Sequence, residues 1–278
     1  MKKSYKTKGN KLKLKLMGLL LILTLSLGRY AWEHYVTRRN NEPKIKAVAK
    51  MKKVDSSKSD DTTTSSSENK PASNQGVTTL NPDELPKFDG STPFVTVNSN
   101  VPAFTDEEKR SKDSFEHYSE LDHLGRVGVS FANLSRDTMP KAGEKRGSIA
   151  NVRPSGWGTY RFKFVDGGYL YNRSHMIGWQ LSAENDNELN LATGTRFFNV
   201  DGMLPFENMV ADYIKETGNH VLYRVTPIFV GDELVMRGLQ MEGFSVEDYG
   251  NGISYNVYVY NAQPGVFIDY LTGIGVSE

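Results

Sequence analysis

Apolar positions fall into three regimes along this chain. Residues 16–28 form a nearly unbroken apolar run, and residues 37–87 have almost no apolar periodicity. From about Phe88 short apolar runs alternate with turn residues. In this last regime the pattern predicts extended segments around Phe94, Val95 and Val97 and over residues 127–134 ("VGVSFANL"). It also predicts a hairpin of residues 160–164 and 169–172 about Asp166-Gly167-Gly168. In "PFENMVADYIKET", residues 205–217, Phe206, Met209, Val210, Tyr213 and Ile214 recur at helical spacing. Pro205 suits the first turn of that helix and Gly218 its stop. Alternation resumes over 220–230, residues 233–244 pair back across Gly231-Asp232, and 253–261 follow a Gly250-Asn251-Gly252 turn. The segment holding His117 and His123 reads as charged and helix-like. Strands, one helix, then strands joined by tight turns predict an α+β domain on an antiparallel sheet. No internal repeat interrupts this order.

Charge sharpens the boundaries. The formal net charge of +1 conceals 18 Lys/Arg against 8 Asp/Glu in residues 1–87, and 16 against 25 in residues 88–278. A basic tail is therefore joined to an acidic body, within a length of 278 residues that suits one or two domains. Lys2, Lys3, Lys6, Lys8, Lys11, Lys13 and Lys15 precede the apolar run and Arg29 closes it, the pattern of an export signal. The run is short for a spanning helix, yet Arg29-Tyr30-Ala31-Trp32 offers no small-x-small cleavage site, and Tyr30 and Trp32 suit a membrane interface. Residues 1–36 are read as a signal peptide or N-terminal membrane anchor, 37–87 as a disordered polar linker rich in Ser and Thr, and 88–278 as the folded domain. The body is expected outside the cell, secreted or anchored to the outer face of the membrane.

The candidate chemistry narrows by exclusion. The chain has no cysteine, so disulfides, thiolate metal sites and cysteine nucleophiles are absent. It contains no His-Glu-x-x-His helix, phosphate-binding P-loop or Gly-x-Ser-x-Gly elbow, and "GTRFFNVDG" lacks the glycine order of a dinucleotide site. Of the five histidines, His34 lies in the tail, His117 and His123 in a charged segment, and His220 opens a strand. His175 differs: a strand end delivers it to a turn, two residues after Arg173. Downstream, "LATGTRFFNVDGMLPFENMVADYI" adds Arg196, Asn199 and Glu207, with Asn190 just before it. Phosphodiester hydrolysis needs a base for water, a hard cation on the phosphate, and positive charge against the charge that develops. His, Asn or Glu oxygen, and Arg match those needs. Mg²⁺ keeps several waters and takes few protein oxygens, so one asparagine can be its direct ligand.

"NRSHMIGWQL", "NLATGTRFFN", "MLPFENMVADYI" and "GNHVLYRVTPIF" together resemble the bacterial DNA/RNA non-specific endonucleases of the ββα-metal (His-Me finger) fold, in particular the streptococcal secreted DNases and the membrane-anchored DNA-entry nuclease. The resemblance covers about residues 88–278. It implies a ββα-metal core on the antiparallel sheet and hydrolysis of DNA, and of RNA, to 5′-phosphate ends. It implies His175 as general base, Asn199 as the one direct protein ligand of Mg²⁺ (with Mn²⁺ a possible substitute), and Glu207 as a carboxylate of the metal's outer shell. Arg173 and Arg196 would position or neutralise the phosphate, and Gln180 and Asn190 would contact substrate or hold the loop. Where many relatives read Asp-Arg-Gly-His, this chain has Asn172 and Ser174, as does the streptococcal branch, and the missing carboxylate should loosen the hold on metal-bound water. An alternative reading is a catalytically weak surface receptor that binds DNA for uptake. The acidic body opposes non-specific nucleic-acid binding, which draws on cationic contacts, unless a local arginine patch suffices or the basic tail gathers the polymer.

Overall fold

A computed structural model of the chain describes residues 80–278. The signal or anchor over 1–36, and the linker up to residue 79, lie outside the described residues. The described residues are organised around a six-stranded antiparallel sheet and two antiparallel ribbons. In chain order the strands are β1 (Phe94–Thr96), β2 (Phe115–Tyr118), β3 (Ser130–Leu134), β4 (Tyr171–His175), β5 (Leu191–Thr195), β6 (Val221–Ile228), β7 (Gly238–Ser245), β8 (Ser254–Tyr260), β9 (Val266–Asp269) and β10 (Ile274–Ser277). The large sheet runs β1-β8-β7-β6-β3-β2, and β4 pairs with β5 and β9 with β10 in the ribbons. A short helix, α1 (Trp179–Ser182), follows β4, and the main helix, α2 (Leu204–Thr217), follows β5. The expected α+β architecture is thus present, and the run β4, β5, α2 forms its ββα core.

Alternation in the strands explains the packing. Val221, Tyr223 and Val225 of β6 point towards α2 and join Val210, Ala211 and Ile214 in one buried cluster. Their neighbours Leu222 and Arg224 face the opposite side, where the chain around Phe104 covers them. Burying each large side chain of this kind contributes about 1.5–3 kcal/mol. On that second face the Arg224 guanidinium donates to Glu242 Oε2 at 2.8 Å and to the Ala103 carbonyl at 2.8 Å. Glu242 Oε1 in turn accepts from the Ala103 N–H at 2.7 Å. Both charges are almost fully buried, so the pair pins the N-terminal segment to the sheet.

Several sequence-based boundaries change. The folded body begins earlier than Phe88: Leu80 and Leu85 pack with Phe88 on a cluster containing Tyr258 and Tyr260, and the Tyr260 hydroxyl donates to the Pro86 carbonyl at 2.6 Å. The hairpin expected from residues 160–164 and 169–172 reduces to one isolated bridge between Arg161 and Tyr169. Gly167 and Gly168 both take positive φ there and turn the chain out of strand geometry; Tyr160 and Phe162 still pack against Leu170 and Tyr171, whereas Phe164 is exposed. Tyr171–His175 pairs instead with Leu191–Thr195, a strand the apolar pattern does not predict. His117 lies in β2 opposite Phe131, not in a helix. Pairing of β6 with β7 starts at Ile228 opposite Gly238, so residues 229–237 form a longer loop than a turn at Gly231-Asp232. Met209 projects to solvent, whereas Phe206, Val210, Ala211 and Ile214 form the buried face of α2.

Candidate active site

The β4–β5 ribbon and the N-terminal end of α2 face one cleft of about 870 Å³. His175, at the end of β4, is 6% exposed. Its Nε2 lies 2.8 Å from the Asn185 carbonyl oxygen, and its Nδ1 lies 3.2 Å from a terminal guanidinium nitrogen of Arg146. A carbonyl only accepts and a guanidinium only donates. The ring proton therefore sits on Nε2, and Nδ1 carries the lone pair. Burial, reinforced by the Arg146 charge and opposed by the Asn185 carbonyl, depresses the imidazole to about 4. At neutral pH His175 is an uncharged base held in a defined tautomer.

Asn199 reaches the same cleft from a wide turn, Phe198–Met203, in which the Leu204 N–H donates to the Asn199 carbonyl five residues back. Such π-type turns often mark functional positions. No hydrogen bond to the Asn199 carboxamide is present among the described residues, which leaves its oxygen free as a ligand. Glu207 stands in the first turn of α2. A Cβ at Gly178 would lie 2.7 Å from Glu207 Oε2, so glycine leaves the space that the carboxylate fills. Burial pushes this carboxyl up to about 7, against a hydrogen bond from Gln180 and the Arg146 charge. Among the described residues no three His, Cys, Asp or Glu side chains cluster as a metal cage. The donors present, one free carboxamide oxygen and one desolvated carboxylate, fit a hard divalent cation that keeps most of its waters.

The arginines are divided in their duties. Arg173 donates through Nε to the Val152 carbonyl and through a terminal nitrogen to the Ala150 carbonyl at 2.8 Å, with its guanidinium carbon 4.1 Å from the centre of the Trp157 ring. It therefore anchors the 150–157 loop while still lining the cleft. Arg196 also lines the cleft, but its guanidinium is engaged with Asp166 at 2.8 Å. This pair is solvent-exposed and so worth little, and a phosphate can compete for the arginine. Gln180 donates to Asn208 Oδ1 at 3.0 Å and sits on the cleft wall. Asn190 is fully buried: its carboxamide accepts from the Ile177 N–H at 2.8 Å and donates to the Ile177 carbonyl at 3.0 Å. Its expected contact with substrate is corrected on that ground, and it holds the loop instead.

Sequence reasoning passes over Arg146, Arg153 and Asn185. All three lie in irregular segments without apolar periodicity, such as "EKRGSIANVRPSGWGTY", where only topology brings them to the cleft. The interleaving of Arg146 and Arg153 with Trp157 and Tyr160 is the one compositional signal of a nucleic-acid surface there.

Comparison with known proteins agrees with this fold. NucA from Streptococcus agalactiae with magnesium ion bound superposes with a TM-score of 0.59 at 22% identity, covering 67% of this chain and 88% of that one. Sda1 nuclease with bound zinc ion superposes with a TM-score of 0.56 at 26% identity, covering 67% and 97%. No curated protein matches the sequence. The sequence profile of the DNA/RNA non-specific endonucleases matches residues 106–246, just over half of the chain. The ββα core, the buried neutral histidine and the free asparagine stand inside that matched region, and the chain belongs to the DNA/RNA non-specific endonuclease family.

Proposed function

We propose that the protein is an exported, metal-dependent endonuclease that hydrolyses phosphodiester bonds of DNA, and of RNA, without sequence preference. The observation that carries this reading is His175: buried, uncharged, its proton fixed on Nε2 by a carbonyl, and its Nδ1 turned to a cleft that also holds Asn199 and Glu207. A pure binding protein has no use for such a base. The cleft lining also joins Arg146, Arg153, Arg173 and Arg196 with aromatic rings, a combination suited to a phosphate backbone and its bases.

In this reading Nδ1 of His175 takes the proton of the attacking water. Asn199, with Glu207 behind it, would hold Mg²⁺, with Mn²⁺ able to replace it. When bound, the cation supplies charge neutralisation on the phosphate and lowers the cost of the developing negative charge. Arg146 lies close enough to the base to contact the same phosphate, and Arg173 keeps the loop beside it in place. Asn172, on β4, offers a carboxamide where a carboxylate would bind a hydrated cation more tightly. The lysine-flanked apolar run near the N-terminus supports export, secreted or anchored at the outer membrane face.

The test is nicking of supercoiled plasmid, with Mg²⁺ or with chelator, by the wild type, His175→Ala and Asn199→Ala. Cutting that needs the cation and is lost in both variants supports the enzyme. Tight DNA binding without cutting in Mg²⁺ or Mn²⁺ makes the protein a receptor.

A further inference from the structure

Asn185 belongs to the connection between α1 and β5 and holds two separate parts of the site. Its backbone carbonyl receives the His175 Nε2–H at 2.8 Å. Its side chain reaches across to another loop: Oδ1 accepts from the Gly147 N–H at 3.1 Å, and Nδ2 donates to the Ser148 carbonyl at 3.4 Å. A Cβ at 147 would lie 2.8 Å from Asn185 Nδ2, so a larger residue there would displace the end of that side chain from the clasp. The residue just before this clasp is Arg146, whose guanidinium donates to His175 Nδ1 at 3.2 Å. Residues 141–148 are all exposed, so little packing fixes the place of Arg146.

We propose that the Asn185 side chain is a positioning residue, clasping the 146–148 loop so that Arg146 caps the lone pair of His175 in the free protein and meets the phosphate when a strand enters. This rests on the nuclease reading above. A lone pair that accepts from a guanidinium cannot take a proton from water. A phosphate oxygen is the stronger partner for that guanidinium, because both groups are charged. An incoming strand therefore draws Arg146 off Nδ1 and frees the base at the moment a substrate is present. The clasp keeps the travel short, so the arginine stays beside the phosphate instead of swinging into solvent. Asn185 thus joins the tautomer of the base, set by its main chain, to the seat of the arginine, set by its side chain.

The experiment is a double-mutant cycle on the full chain with Asn185→Ala, Arg146→Ala and their combination, plus Gly147→Ala to break the same contact from the opposite loop. The first readout is the nitrogen-15 shift of His175 Nδ1 in chelator, which reports whether a donor occupies the lone pair and does not depend on activity. The second is plasmid nicking, with kcat and KM separated. Each single change is expected to move the Nδ1 resonance in one common direction and to lower kcat/KM about ten- to a hundredfold, the range for loss of a charged hydrogen bond. The double variant should go no further than Arg146→Ala, since both changes remove one interaction. Additive effects, or an unmoved Nδ1 resonance in Asn185→Ala and Gly147→Ala, overturn the clasp. Should Asn185→Ala fail to fold, Gly147→Ala decides alone. A wild type that never cuts DNA refutes the nuclease reading, and the Nδ1 shift still settles the clasp.

Discussion

Replacing Glu207 by Gln should stabilise the metal-free protein at alkaline pH while abolishing its cutting of DNA. Burial raises this carboxyl from its ordinary 4.5 to about 7. Between those values the folded chain keeps a proton that the unfolded chain has already released. Raising the pH through this window therefore favours unfolding, and the loss is complete above about 7. At roughly 1.4 kcal/mol per pH unit the full penalty is about 3 kcal/mol, an upper bound because the residue keeps some contact with solvent. Glutamine carries no such penalty. For a domain of this size about 1 kcal/mol moves Tm by roughly 2–4 °C. Thermal melts in chelator should show the variant and wild type nearly equal at pH 5, and the variant up to about 10 °C more stable at pH 8. The depressed His175 acts with the opposite sign, adding stability as pH rises from about 4 towards 6.5, but it is common to both proteins and cancels in the difference. Mg²⁺ should then raise the wild-type Tm more than the variant's, because a ligand of the native state stabilises it by mass action. A Tm difference that is the same at pH 5 and pH 8 refutes the argument.

Other consequences can be measured in the same way. In the metal-free protein Glu207 takes up its proton near pH 7 while His175 stays uncharged down to about 4, so the affinity for Mg²⁺ measured by titration across pH 5–8 should rise towards the alkaline end. Glu242→Ala strands the buried Arg224 charge and should cost about 3–5 kcal/mol in denaturant unfolding. Gly194→Ala places a Cβ onto Ser174 Oγ and the Phe198 ring, and should cost about 1–3 kcal/mol while displacing the ribbon that carries His175. A chain beginning at Leu80 should melt with the full chain, whereas one beginning at Phe88 loses the Pro86 and Leu85 contacts and should melt lower. If the basic tail gathers the polymer, the chain from Leu80 should cut DNA less efficiently than the full chain at low salt and match it at high salt.

What the sequence discloses, and what it hides, follows from which signals are local. The face of α2 is readable because Phe206, Val210 and Ile214 repeat with the helical period and are all buried. Strands β6 and β8 are readable because their β-branched and aromatic residues form runs that only a sheet can bury. Strand β5 is not: "LATGT" is built of small residues because Gly194 must pass close under Ser174 and Phe198, so packing, and not propensity, makes it a strand. His175, Asn199 and Glu207 stand out as chemistry, since few side chains can serve as base or ligand. Arg146 and Asn185 do not, because their importance comes from a meeting of loops nearly 40 residues apart in sequence. Arg196 reads as a free cation in the sequence, and only the structure reveals Asp166 beside it.

The acidic body and a polyanionic substrate are reconciled by where the charges lie. Residues 88–278 carry 16 Lys/Arg against 25 Asp/Glu, yet the cleft is lined by Arg146, Arg153, Arg173 and Arg196 against the carboxylate of Glu207, with Asp166 paired to Arg196. The Glu207 carboxyl is itself largely protonated below about pH 7 in the absence of a cation. At physiological ionic strength exposed charges more than about 8 Å apart are largely screened from one another, so acids on distant faces contribute little to the potential inside the cleft. A strand entering there meets a positive groove whatever the sign of the whole. The remote acids should act at long range instead, slowing encounter at low salt, where the screening length grows to tens of ångströms. The rate of DNA capture by a chain beginning at Leu80 should therefore pass through a maximum as salt is raised: first relief of long-range repulsion, then loss of the arginine–phosphate contacts. A monotonic fall from the lowest salt upward would show that the acids on the other faces are not felt at the cleft at all.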